Sequence, residues 1–136
     1  MSLQLEIVTP EKKVFSDTVE NVYLPGTDGE LGILEAHASL VSGLKPGELR
    51  YQKGGQTITL ALGSGFAEVT GKKVVVLTDS ALGSDEIDEA KAEAAIHRAE
   101  EALKSVDHSV DAEEVAHLQA VIAKSLAQLK LKRRHH

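Results

Sequence analysis

The residues whose types suit chemistry are six histidines, a serine set between two glycines, a glycine-rich turn and a basic tail. Zinc needs three or four converging ligands. His97, His108 and His117 are too scattered to converge on spacing alone, so no metal site is predicted. His97, one helical turn from Glu93 and Glu101, reads as part of a solvated face. Ser64 in Gly63-Ser64-Gly65 lacks the full G-x-S-x-G nucleophile elbow and its strand–turn–helix setting. Gly26 to Gly32 lacks the GxxxxGK[ST] spacing and no helix follows it, so a turn is expected there and not a phosphate cradle. Glu35 and His37 would suit a small jelly-roll catalyst only with a deep polar pocket, and no second cluster completes one. His37 is held as a structural or interface residue. Lys130, Lys132, Arg133 and Arg134 form a basic end that complements a helix C-terminus. His135 and His136 have the look of an affinity tag and are given no function.

Composition narrows the classes further. Net charge is −6 and only 3 % of residues are aromatic, so nucleic-acid binding, which wants a basic face and stacking rings, is not expected. The absence of Cys removes disulfides, thiolate catalysis and Cys-ligated metals. No signal-peptide pattern opens the sequence, and no apolar run approaches the roughly 20 residues that span a bilayer. The expectation is a soluble chain without direct membrane insertion.

The chain is written in two periods. Up to about Ser84, short β runs alternate with Gly, Pro and Asp. Leu3-Leu5-Ile7 alternates with Gln4 and Glu6, and Gly54-Gly55 and Thr70-Gly71-Lys72 mark hairpins. After Asp85, Gly and Pro vanish and Ala, Glu, Lys and Leu take over, which predicts helices over about Glu86–Lys104 and Ala112–Lys132. Ser84 or Asp85 is the expected cap of the first, and Asp111 with Glu114 a capping box for the second. The first helix would face inward with Ala90, Ala94, Ala95, Ala99 and Ala102, and the second with Val115, Leu118, Ile122, Leu126 and Leu129. The predicted fold class is α+β: an N-terminal antiparallel β-sandwich or barrel (1–84), then a C-terminal two-helix antiparallel hairpin (85–136). Alanine buries little area, at about 25 cal/mol per Å². Such a hairpin should be marginally stable and able to open.

The ordered segments resemble a known family. Ile7-Val8-Thr9-Pro10-Glu11-Lys12-Lys13-Val14 and Leu24-Pro25-Gly26-Thr27-Asp28-Gly29-Glu30-Leu31-Gly32-Ile33-Leu34 followed by His37 are similar to the opening and central signature of the ε subunit of F-type ATP synthase. Lys45-Pro46-Gly47, Gly65-Phe66-Ala67-Glu68-Val69 and Val74–Asp79 continue in order. The sequence departs at Glu35-Ala36, where the family usually has Pro-Gly. The resemblance implies a non-catalytic rotor subunit at the cytoplasmic face of a bacterial plasma membrane, peripheral to it, coupling rotation to ATP synthesis. Its implied partners are the γ subunit, the c-ring and the α/β catalytic hexamer, with Glu30 and His37 on the docking side of the sandwich. It further implies helices that inhibit ATP hydrolysis when extended, with Lys130, Lys132, Arg133 and Arg134 docking on acidic segments of the hexamer.

Ile87-Asp88-Glu89-Ala90-Lys91-Ala92 is similar to the same family's nucleotide-binding pattern, Ile/Leu-Asp-x-x-Arg-Ala. Ile87, Asp88, Lys91 and Ala92, with Arg98 two turns on, are the ATP-binding candidates; no cofactor is required. Lys91 stands where the pattern has Arg and offers a point charge in place of a bidentate fork. Two readings stand for this segment: weak ATP binding, or a solvated helix start with Glu–Lys surface pairs. Three functions are therefore carried forward: a stalk subunit, an ATP-sensing module and a small catalyst.

Overall fold

The computed structural model describes residues 2–34 and 37–134, without the side chains of His37 and Ala38. Ten strands run through the first part: β1 (Leu3–Val8), β2 (Lys13–Val19), β3 (Asn21–Gly26), β4 (Gly29–Ile33), β5 (His37–Leu44), β6 (Gly47–Lys53), β7 (Gln56–Leu62), β8 (Gly65–Gly71), β9 (Lys73–Thr78) and β10 (Ala81–Leu82). They pair in the order β10-β7-β6-β3-β5-β8-β9-β1-β2, with β4 added on β3. The junction between β3 and β5 is a single pairing, Gly26 with Leu44, so two sheets fold over each other there. The layers meet again away from that junction: the Phe15 ring of the edge strand β2 packs tilted on Tyr51 of β6 with ring centroids 4.7 Å apart, and Lys53 pairs with Asp17.

Period-two alternation builds the core between these layers. Leu3, Leu5 and Ile7 are buried while Gln4, Glu6 and Val8 are not, so β1 lays one face inward. Leu24, Ile33, Leu49, Leu62, Val69, Val74 and Val76 meet them from the other strands. At about 1.5–3 kcal/mol for each fully buried aliphatic side chain, this layer is the main source of stability. Gly54 and Gly55, with φ of 59° and 78°, form the two-residue turn that sets Lys53 opposite Gln56.

One expectation about the sheet is corrected. The sandwich is not wholly antiparallel, because β1 runs parallel to β9, with Leu5 opposite Val74 and Ile7 opposite Val76. A parallel partner distant in sequence leaves no local turn signal.

A short 3-10 turn (Ser84–Glu86) leads to α1 (Glu89–Ser105) and α2 (Ala112–Arg134). The last turn of α2 reaches Glu89 and Glu93 at the start of α1, so the two helices are antiparallel. α2 lies against β6 and β7. The first helix starts later than expected and its cap is Asp88, whose carboxylate accepts the Lys91 amide at 3.1 Å; Ser84 and Asp85 lie in the 3-10 turn instead. Asp111 joins α2 through its carbonyl, which accepts the Val115 amide at 3.0 Å. The buried residues of α1 are Ala92 and Ala99, while Ala90 and Ala94 are exposed, which rotates the predicted alanine face by part of a turn. On α2, Leu118 and Leu129 are buried as expected, but Leu126 is 52 % exposed and Ser125 is buried.

Candidate functional site

Three surfaces gather the residues singled out above. The first is the outer face of β5, β8 and β9. Across these strands Gly43 stands opposite Phe66, Phe66 opposite Leu77, and Leu77 opposite Val8 of β1. Val41, two residues from Gly43, shares their side. Val41, Phe66 and Leu77 are 68 %, 62 % and 51 % exposed, an apolar row on a sheet whose other face already forms the core. Beside it a hollow of about 370 Å³ is bounded by Val8, Pro10, Gly65 and Leu77. The signal was present in the alternation: Phe66 shares its face with Glu68 and Thr70, while Ala67 and Val69 take the core face.

The second surface is the groove between the helices. Lys91, Ala92, Ala95 and Arg98 from α1 and Val121, Lys124, Ser125 and Gln128 from α2 bound about 470 Å³. Three cations thus face one concavity, a charge set suited to an anion. Of the five ATP-binding candidates, Lys91, Ala92 and Arg98 reach it. Ile87 and Asp88 do not line it: Ile87 is buried with Ala61 and Leu131 against the sandwich, and Asp88 is occupied as the helix cap.

The third surface is a cleft of about 910 Å³ between α2 and the sheet, bounded by Glu30, Lys45, Glu48, Arg50, Leu126, Lys130 and Arg134 among others. Glu30 accepts from Arg50 at 2.8 Å, and the same guanidinium lies 4.9 Å above the Tyr23 ring. The basic end divides. Lys130 sits on the cleft wall, while Lys132 donates to the Ser84 carbonyl at 3.1 Å, Arg133 to Glu93 at 3.1 Å and Arg134 to Glu48 at 2.8 Å. Glu48 was not anticipated; no local pattern marks a carboxylate whose partner lies 86 residues away.

The candidate catalytic features do not assemble. His37 opens β5 opposite Gly71, and its side chain and the whole of Glu35 lie outside the described residues, as does the departure at Glu35-Ala36. Ser64 lies immediately before β8, packed closely against the end of that strand's antiparallel partner β9. A Cβ on Gly65 would stand 1.9 Å from the Leu77 carbonyl, and the Ser64 carbonyl accepts from the Thr78 hydroxyl and the Asp79 amide. Among the described residues no group of three or more His, Cys, Asp or Glu is placed to hold a metal ion. None of their helices is long and apolar enough to cross a membrane.

These features define a two-part α+β protein with one apolar sheet face exposed and a charged helical hairpin docked on another. Comparison with known proteins agrees. The ATP synthase delta/epsilon chain β-sandwich domain matches residues 2–84, and the long α-helix domain of the same chain matches residues 85–133. An ATP synthase epsilon chain of Desulforamulus reducens is 50 % identical over 79 % of this chain and 82 % of its own length. One from Herpetosiphon aurantiacus is 40 % identical over 98 % and 99 %. A chain in the solved structure of the Euglena gracilis mitochondrial ATP synthase, comprising OSCP, F1 and c-ring, superposes with a TM-score of 0.72 at 25 % identity, covering 99 % of this chain and 82 % of that one. A chain of the Tetrahymena thermophila central stalk and c-ring shares the fold, with a TM-score of 0.56 at 10 % identity over 98 % of this chain and 95 % of that one. The chain belongs to the delta/epsilon chain family of ATP synthase, on the side of the epsilon chains.

Proposed function

We propose that this chain is a non-catalytic rotor subunit of a proton-translocating ATP synthase. In this reading the sandwich, residues 1–84, docks on the γ subunit and the c-ring, and the hairpin, residues 85–136, moves to regulate ATP hydrolysis by the α/β hexamer. It sits peripherally at the cytoplasmic face of a bacterial plasma membrane. The apolar row of Val41, Phe66 and Leu77 carries the reading. Its three large side chains face solvent on a well-packed sheet, the pattern expected of a docking surface. Glu30, paired to Arg50 on the other sheet, suits the polar rim of a contact. Capture of γ tests it: Phe66→Asp with Leu77→Asp should weaken capture by on the order of tenfold or more, since burying each side chain is worth about 1.5–3 kcal/mol. Undiminished capture would overturn this docking face.

A second reading is favoured by the three cations of the interhelical groove. Lys91, Arg98 and Lys124 supply charge for the phosphates of ATP, and closure of the hairpin around the nucleotide would favour the folded position. Isothermal titration checks it; absence of heat at millimolar ATP removes it.

A further inference from the structure

The last turn of α2 spends each of its basic side chains on a different part of the molecule. Lys132 bonds the Ser84 carbonyl in the connection between sheet and helices. Arg133 spans Glu89 and Glu93 of α1, at 3.6 and 3.1 Å. Arg134 bonds Glu48 on β6. Beneath them Leu131, wholly buried, meets Ile87 and Ala61. Four consecutive residues therefore join the connection, the first helix and the sheet, whereas the residues α1 itself buries are the small Ala92 and Ala99.

We infer that this turn is a clasp: Glu48 and its neighbours hold the hairpin against the sandwich and, by occupying Lys132, Arg133 and Arg134, mask them from any acidic partner surface while the hairpin is folded. The inference rests on the reading of the hairpin as a mobile regulatory element, and it names what controls the movement. Exposed ion pairs are individually weak and screened by salt, so a clasp made of them opens. The Glu48 pair is the firmest member. Its side chain is only 22 % exposed and its second carboxylate oxygen is buried without a hydrogen-bond partner, so losing Arg134 leaves a desolvated charge behind. The same guanidinium cannot serve Glu48 and a partner at once, so folded and extended hairpins compete for it.

Glu48 belongs to the sandwich and Arg134 to the hairpin, and this separates their effects. In the full chain, Glu48→Gln and Arg134→Gln should each accelerate hydrogen exchange of α2 amides on the order of five- to tenfold. The reversed pair, Glu48→Arg with Arg134→Glu, should restore protection. In the assembled motor Glu48→Gln should deepen suppression of hydrolysis by freeing the basic end, and Arg134→Gln should not, because it also removes a docking charge. Unchanged α2 exchange in both single variants overturns the clasp, as does a reversed pair that restores nothing. Exchange that rises as expected with hydrolysis unmoved leaves the clasp standing and overturns the regulatory role of the hairpin.

Discussion

Asp88 and Lys91 show how one short segment serves two demands. Asp88 accepts the Lys91 amide and so fixes the helix start, which leaves the Lys91 side chain free on the groove wall with Arg98 and Lys124. Replacing Lys91 with Arg keeps the charge and adds a planar two-pronged donor. On the proposed second reading, in which the groove takes ATP, Lys91→Arg should tighten that binding by roughly fivefold to tenfold, a gain of about 1 kcal/mol, read by titration calorimetry. At Gly65 the constraint is steric. The Leu77 carbonyl occupies the space a methyl would need, so Gly65→Ala should destabilise the sandwich by about 1–3 kcal/mol in urea unfolding. That Gly63-Ser64-Gly65 was no nucleophile elbow was legible from its missing pattern. That its glycines let Ser64 and Gly65 pack closely on Leu77–Asp79 was not, because the hairpin signal at Gly71 fixes which strands pair and not how closely their far ends approach.

At the scale of elements, hairpin turns and period-two strands were legible because their causes are local. Gly54-Gly55 needs only its own dihedral freedom, and β1 only its own alternation. The helices were legible in number and nearly in extent, and illegible in facing. α1 begins at Glu89 because Ile87 is held in extended backbone and buried between Ala61 and Leu131. Only the sheet surface beneath supplies that pull. The same docking turns Leu126 outward toward the cleft and leaves Ser125 buried. Leu131→Ala should consequently loosen the hairpin from the sheet by about 2–4 kcal/mol while sparing the main core, to which Leu131 does not belong. Hydrogen exchange resolved by segment checks this: protection should fall across α2 and persist in β1 and β9.

Across the whole molecule, charge pairs brace the outside of the two layers. Lys73 and then Lys13 hold the Glu6 carboxylate below its ordinary 4.5, and Lys53 holds Asp17 below 3.8, helped by the Thr18 amide. Both groups bind protons more weakly folded than unfolded. Their stabilisation is complete above the ordinary carboxylate range and is lost as pH falls through the lowered folded values. Thermal melting should therefore drop on acidification below about pH 4, and Lys53→Met should flatten part of that drop by removing the larger cause at Asp17. The Lys73–Glu6 and Lys53–Asp17 pairs were not legible, since they join β1 to β9 and β2 to β6 across long sequence separations.

The parallel seam between β1 and β9 also sets an order of events during synthesis. β1 has two partners: β2 follows at once, but β9 lies some seventy residues downstream. A nascent chain must keep its first strand half-paired, with one row of amides and carbonyls unmet, until Lys73–Thr78 has left the ribosome. A chain ended at Ser84 should then melt cooperatively, whereas one ended at Gly71 should expose that open edge and aggregate, a contrast light scattering would record. The helical hairpin, which closes on β6 and β7 and not on this seam, is made only after the ninth strand.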